Sequence, residues 1–177
     1  MKRILIVLGI LITLGVGLAT MLSGRGLPGG KHDANFGRIA HKDEIIGYWQ
    51  MIPLPEEAKT LLNKVDPWPQ PYQWFAILDD GRMHSMQSTE AQEPSARDLE
   101  EIFGAVRPTV SYEYQNGLLL VRNSDLPNYG EVWGVNVATK DATFRGGGQI
   151  QSGDLLMGLI DVKEKQPAYY RHLRRME

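Results

Sequence analysis

The chain contains no cysteine in its 177 residues. That absence excludes disulfides, thiolate metal sites, cysteine nucleophiles and lipid attachment through an N-terminal cysteine. An excess of positive charge is missing too. Beyond residue 22, seventeen lysines and arginines face twenty-one acids, so the domain has no field for capturing nucleic acid. No internal repeat or low-complexity tract occurs. No G-x-S-x-G surrounds a serine, Ser85 beside His84 included. Arg145-Gly146-Gly147-Gly148 lacks the lysine and helix of a phosphate loop. The adjacent acids Glu56-Glu57 and Asp79-Asp80 fall where helix starts and turns prefer acids anyway. The chain is therefore read as non-enzymatic, with no cofactor.

One long run is present. Nineteen consecutive residues, Ile4 to Leu22, carry no charge and follow Lys2 and Arg3. At about 1.5 Å of rise per residue they form a helix about 28 Å long, close to the roughly 30 Å core of a bilayer. Two readings compete. A secretory signal would be cut after Ala19, with Gly17 and Ala19 as the small residues before the cut. The run is long for a signal and continues through Met21 and Leu22, which favours an uncleaved anchor. Lys2 and Arg3 are packed against its start, whereas Arg25, Lys31 and Arg38 are spread beyond its end. That asymmetry places the N-terminus in the cytoplasm and the folded domain outside it, periplasmic or extracellular, or secreted if cleaved.

Three parts follow: a membrane anchor or signal over residues 1–22, a flexible linker over 23–43, and a domain over 44–177. The linker is glycine-rich and almost without apolar residues from Ser23 to Asn35. In the domain, short apolar runs alternate with turn residues. Strands are expected at Ile45–Ile52, Tyr72–Asp79, Arg82–Ser88, Thr109–Gln115, Leu118–Asn123, Glu131–Ala138, Asp154–Asp161 and Ala168–Arg174, with a possible ninth near Ala142–Arg145. Asp80-Gly81 and Asn116-Gly117 read as two-residue hairpin turns, the second pairing Tyr114 with Leu119 and Tyr112 with Val121. Two short helices interrupt the meander. Pro55-Glu56-Glu57 opens one, with Ala58, Leu61, Leu62 and Val65 as its apolar stripe. Ser95 and Asp98 cap the other, whose buried stripe is Leu99, Ile102 and Phe103 and whose end is Gly104. This order predicts a mainly β fold, an antiparallel up-and-down barrel of eight or nine strands.

In its order of elements the domain resembles the lipocalin, or calycin, barrels. Gly47-Tyr48-Trp49 on the first strand matches their G-x-W, and a short helix follows that strand. On the last strand Arg171 or Arg174 matches the arginine that packs over this tryptophan and closes the barrel floor, Arg171 being the preferred match. The chain departs from the family near residues 123–130, where Asn123-Ser124-Asp125 stands in place of a threonine-aspartate-tyrosine motif. It resembles an outlying member, and the resemblance implies binding of a small hydrophobic ligand.

The expected cavity or core lining is Trp49, Trp68, Trp74, Tyr112, Tyr114 and Trp133. Trp68, Trp74, Tyr72 and Phe75 cluster with three prolines at one strand end, either rimming a cavity mouth or capping the core. His84 and Met86 share a strand face in an H-x-M pair, a weak copper-like signal of two soft ligands that is more simply core filler. Arg171-His172-Leu173-Arg174-Arg175 reads as a basic surface cluster, for anionic headgroups or an acidic partner, or as ion-paired to the helix bearing Asp98, Glu100 and Glu101. Trp74-Phe75-Ala76-Ile77-Leu78 is apolar on both faces, so something must cover the second face. Two functions follow as expectations. One is a membrane-tethered binding module for a small hydrophobic molecule. The other is a non-catalytic structural or assembly subunit of a membrane protein complex.

Overall fold

A short strand, β1 (Gly37–Ile39), and a one-turn helix, α1 (Lys42–Ile45), lead into the first long strand in the computed structural model, which describes residues 36–63, 67–144, 147–164 and 166–177. After them come β2 (Gly47–Ile52), α2 (Glu56–Leu62), β3 (Tyr72–Ile77) and β4 (Arg82–Ser88). Helix α3 (Ala96–Gly104) precedes β5 (Val110–Gln115), β6 (Leu118–Asn123) and β7 (Leu126–Ala138). The small strands β8 (Ala142–Thr143) and β9 (Gln149–Ile150) then lead to β10 (Leu155–Asp161) and β11 (Gln166–Arg175). The expected span over residues 4–22 and the Ser23–Asn35 stretch of the linker lie outside the described residues, as do Val65 and Arg145. Among the described residues no helix is long and apolar enough to cross a membrane.

The strands β2 to β7, then β10 and β11, each pair antiparallel with the next, and β11 returns to pair with β2. The result is a closed up-and-down barrel of eight strands, which leaves no open sheet on either side. The possible ninth strand near residue 142 is β8, and it pairs with β9 in a separate two-stranded sheet. Among the described residues there are three short helices, where two were expected. The additional one, α1, spans a single turn, too few residues for an apolar period to register. Its start is visible only as the His41 N–H donating to Glu44 Oε2 at 2.7 Å.

Turn chemistry sets the hairpins. Asn116 and Gly117 both have positive φ, 51° and 82°, and β5 pairs with β6 in the expected register, Tyr114 with Leu119 and Tyr112 with Val121. The Asp80-Gly81 turn is longer than two residues. Only Gly81 is left-handed there, and the Leu78 N–H bonds to the Arg82 carbonyl across the loop. The Asp80 carboxylate holds that loop, accepting from the Arg82 backbone N–H at 3.0 Å and from Arg82 Nε at 2.6 Å.

Side chains alternate between the faces of every strand, so each barrel strand feeds two layers. The inner layer is filled by Trp49, Phe75, Ile77, Leu119, Trp133 and Leu173 with their neighbours. Outside the barrel, α3 lays Leu99 and Phe103 over Trp74 and Ala76 of β3. The second apolar face of β3 is thus covered by the chain's own helix. Ile102, expected in the buried stripe, is 41% exposed, because so short a helix touches the barrel along only one narrow line. A third cluster, with Phe144, Ile150 and Leu156, seats α2 and the β8–β9 hairpin on the outside of β10.

Candidate functional site

The two barrel ends differ. The β3–β4 and β5–β6 turns, α1 and Arg175 gather at one end, and β1 crosses beside the β5–β6 turn there. The Arg175 guanidinium lies 4.3 Å from the Trp49 ring centre and donates to the carbonyls of Ile46 and Glu44, both at 2.7 Å. Trp49 Nε1 donates to the Ile45 carbonyl at 2.9 Å, and Tyr114 Oη to the Ala40 carbonyl at 2.7 Å. Burial raises the Tyr114 phenol to about 12, so it remains a donor. This end is shut.

The opposite end is a mouth, partly plugged. Strand β4 pairs with β5 only at Arg82 and Met83, so from His84 onward the strands part, and Ser85 and Gln87, on the same face as the core residue Met83, are exposed. Trp68, on the proline-rich segment before β3, drops into the mouth. Its ring centre is 5.8 Å from that of Trp133 and 5.6 Å from that of Tyr169. Gln73 holds the segment in place, its Nε2 donating to the carbonyls of Trp68 and Gln70 at 3.0 Å each. The prolines fix φ along the segment and remove donors that would otherwise need partners here.

Arg171 lies beneath this plug at 5% exposure. Its guanidinium carbon is 4.1 Å from the Trp68 ring centre, 4.6 Å from Trp133 and 4.8 Å from Phe75. Burial pulls its pKa below the ordinary arginine value, opposed by Tyr169 and Glu131. The Glu131 oxygens accept from Tyr129 Oη at 2.6 Å and Trp133 Nε1 at 2.7 Å. Partial burial and then that bond push the Tyr129 phenol up to about 12. Two buried polar atoms of the inner layer have no hydrogen-bond partner among the described residues: Arg171 Nε and Gln73 Oε1. Arg171 also lines a cleft of about 190 Å³ between the end of β2, α2 and the Trp68 segment, walled by Met51, Leu54, Trp68, Pro69 and Tyr169. The cleft exists because β11 outruns β2, which pairs with it only from His172 to Arg175.

The residues expected to line the cavity or core fall into separate places. Trp49, Tyr112 and Trp133 are in the inner layer, with Tyr114 and Trp68 packed against it. Trp74 is in the outer layer beneath α3. The parity of β3 decides this, since Gln73, Phe75 and Ile77 take the inner face. The preferred match of Arg171 to the floor-closing arginine is corrected: the cation over Trp49 is Arg175. The register places Arg175 directly across from Trp49, so neither Arg171 nor Arg174 reaches that ring. Gly47 stands where expected and admits this arginine. Its φ is +143°, and a side chain there would collide with Arg175 Nη1.

The apparent basic cluster of β11 is not a surface patch. Alternation sends Arg171 and Leu173 inward and His172 and Arg174 outward onto Asp154. Asp154 accepts from Arg174 Nη2 at 2.8 Å and from the Gln151 N–H at 2.7 Å, and lies 2.6 Å from His172 Nε2. Burial would raise the Asp154 pKa, but the bonds from His172, Arg174 and Gln151 hold it at about 2. His84 stacks on Phe103 at 5.2 Å beneath α3, and Met86 packs in the same outer cluster. Among the described residues no three histidine, aspartate or glutamate side chains converge on a metal-sized site.

Sequence reasoning missed Arg175, Gln73, Glu131, Tyr169 and Asp154. Arg175 was accessible in principle, from pairing the last strand with Gly47-Tyr48-Trp49 one residue further along. Tyr169 and Asp154 carry no local signal, because their ring and charge partners lie on other elements, whereas Gln73 and Glu131 bond close by in the chain, to Trp68 and Gln70 and to Tyr129 and Trp133. No protein-family model, curated protein or solved structure matches the chain.

Proposed function

We propose that the domain is a non-catalytic, lipocalin-like binding module for a small hydrophobic molecule, held outside the cytoplasm by its N-terminal span. The mouth carries this reading: an aromatic-walled cleft of about 190 Å³ opens where β11 outruns β2. The barrel below it is packed with side chains, so no long ligand runs down its axis. The cleft is smaller than the roughly 300 Å³ at which drug-sized pockets begin, which suits a short ligand or one that displaces the Trp68 ring. Chain entry supports the orientation. β1 joins at the closed end, so a tether from that side leaves the mouth facing away from the membrane.

The competing reading, an assembly subunit, drew on the two-sided apolar character of β3. Leu99 and Phe103 of α3 account for that face within the chain itself. Native mass spectrometry of the full-length protein, extracted gently from membranes, tests the proposal. The expected result is a retained N-terminal segment with a small-molecule adduct. A mass matching cleavage after Ala19 with nothing bound overturns the proposal, and a bound protein chain in place of a small molecule favours the assembly reading.

A further inference from the structure

We infer that the ligand of the mouth cleft carries an anionic head, a carboxylate in the simplest case, and that Arg171 binds it. This rests on the binding reading above and names the chemistry of the same site.

A guanidinium is costly to bury, and a methionine of similar bulk would serve packing as well or better. Here the cation is almost fully enclosed, and its close neighbours include the ring faces of Trp68, Trp133 and Phe75. Aromatic faces attract a cation but accept none of its in-plane N–H bonds, and the Tyr169 side chain takes up only part of the fork. Arg171 Nε is a buried group with no partner among the described residues. Glu131 balances the charge, but its oxygens are engaged by Tyr129 and Trp133. The rigid fork of an arginine suits a carboxylate, which takes two parallel N–H bonds at once.

The remaining walls are mixed. Met51, Leu54, Trp68 and Tyr169 offer apolar and aromatic surface, and Glu56, Lys59, Asn63 and Gln70 line the polar side. The volume of about 190 Å³ holds roughly six groups the size of a water molecule. A short amphiphile fits both features, its apolar part against the prolines and Trp68 and its charge toward Arg171.

Hexanoate and 1-hexanol differ only at the head and serve as probes. Both are titrated calorimetrically into the full-length protein in detergent, against protein-free micelles. Hexanoate is expected to bind at least about tenfold more tightly than the alcohol. Arg171→Met should bring hexanoate down to the affinity of the alcohol and leave the alcohol unchanged. Glu131→Gln, which removes the opposing charge, should tighten hexanoate several-fold. Equal affinities in the unmodified protein, or a preference for hexanoate that survives in Arg171→Met, overturn the anionic head but leave the binding reading standing. Binding of neither probe overturns both. Should Arg171→Met fail to fold, Glu131→Gln decides, and unchanged hexanoate affinity in that variant overturns the inference.

Discussion

Arg175 lies over Trp49 with 4.3 Å between its guanidinium carbon and the ring centre, and this pair joins the last strand of the barrel to the first. The contact is possible because Gly47 has no side chain where the guanidinium passes. Arg175→Met is expected to cost about 1–2 kcal/mol, from two carbonyl bonds and a partly exposed cation–π contact. Gly47→Ala should cost about 1–3 kcal/mol, through its positive φ and the displaced arginine. Urea denaturation checks both. The double variant should cost less than the sum of the two single variants, because each removes the same contact.

Helix α3 is part of the core and not a detachable arm. Leu99 is fully buried against Trp74 and Ala76. Leu99→Ala is expected to destabilise by about 2–5 kcal/mol and to open the segment between β4 and α3 to limited proteolysis. Unchanged stability would mean that β3 has another cover for its outer face.

The Asp154 cluster makes the fold acid-sensitive. Its carboxyl sits at about 2 in the folded chain, against about 3.9 for an unperturbed aspartate. The unfolded chain therefore takes up the proton first. This stabilisation is complete above about pH 4 and is lost as pH falls toward 2. Glu44, held at about 2 chiefly by Arg38, contributes in the same window but is more exposed. Asp154→Asn should cost about 3 kcal/mol at neutral pH and shrink the loss of stability on acidification. Denaturation midpoints at pH 7, 4 and 3 measure it.

His84 acts nearer neutrality. Burial beneath Phe103, with Arg82 adding to it, lowers its pKa in the folded chain. Protonation thus favours unfolding, and stability should be full above about pH 6.5 and fall below it. Thermal melts at pH 7.5 and 5.5 should differ more for the unmodified protein than for His84→Gln. Equal differences would remove His84 as the cause.

Local chemistry decided the hairpins and caps of this chain. Asn116-Gly117 set both the turn and the register of β5 with β6, because few residues tolerate two successive left-handed positions. Ser95 and Asp98 form the reciprocal cap expected of them, with the Ser95 N–H 2.8 Å from Asp98 Oδ2. The run of hairpins pointed to a barrel because a meander of that length buries its apolar faces most simply by closing.

Only the tertiary structure decided which face of β3 looks inward, since both are apolar and parity is settled by the pairing with β2 and β4. It also divided the charges of β11 among an aromatic box, an aspartate and a tryptophan. Adjacent residues of a strand point in opposite directions, so a cluster in the chain was never a cluster in space. The mouth has the same origin. Trp68, Trp133 and Arg171 meet there from three separate segments, and no spacing along the chain records a meeting made by ring closure.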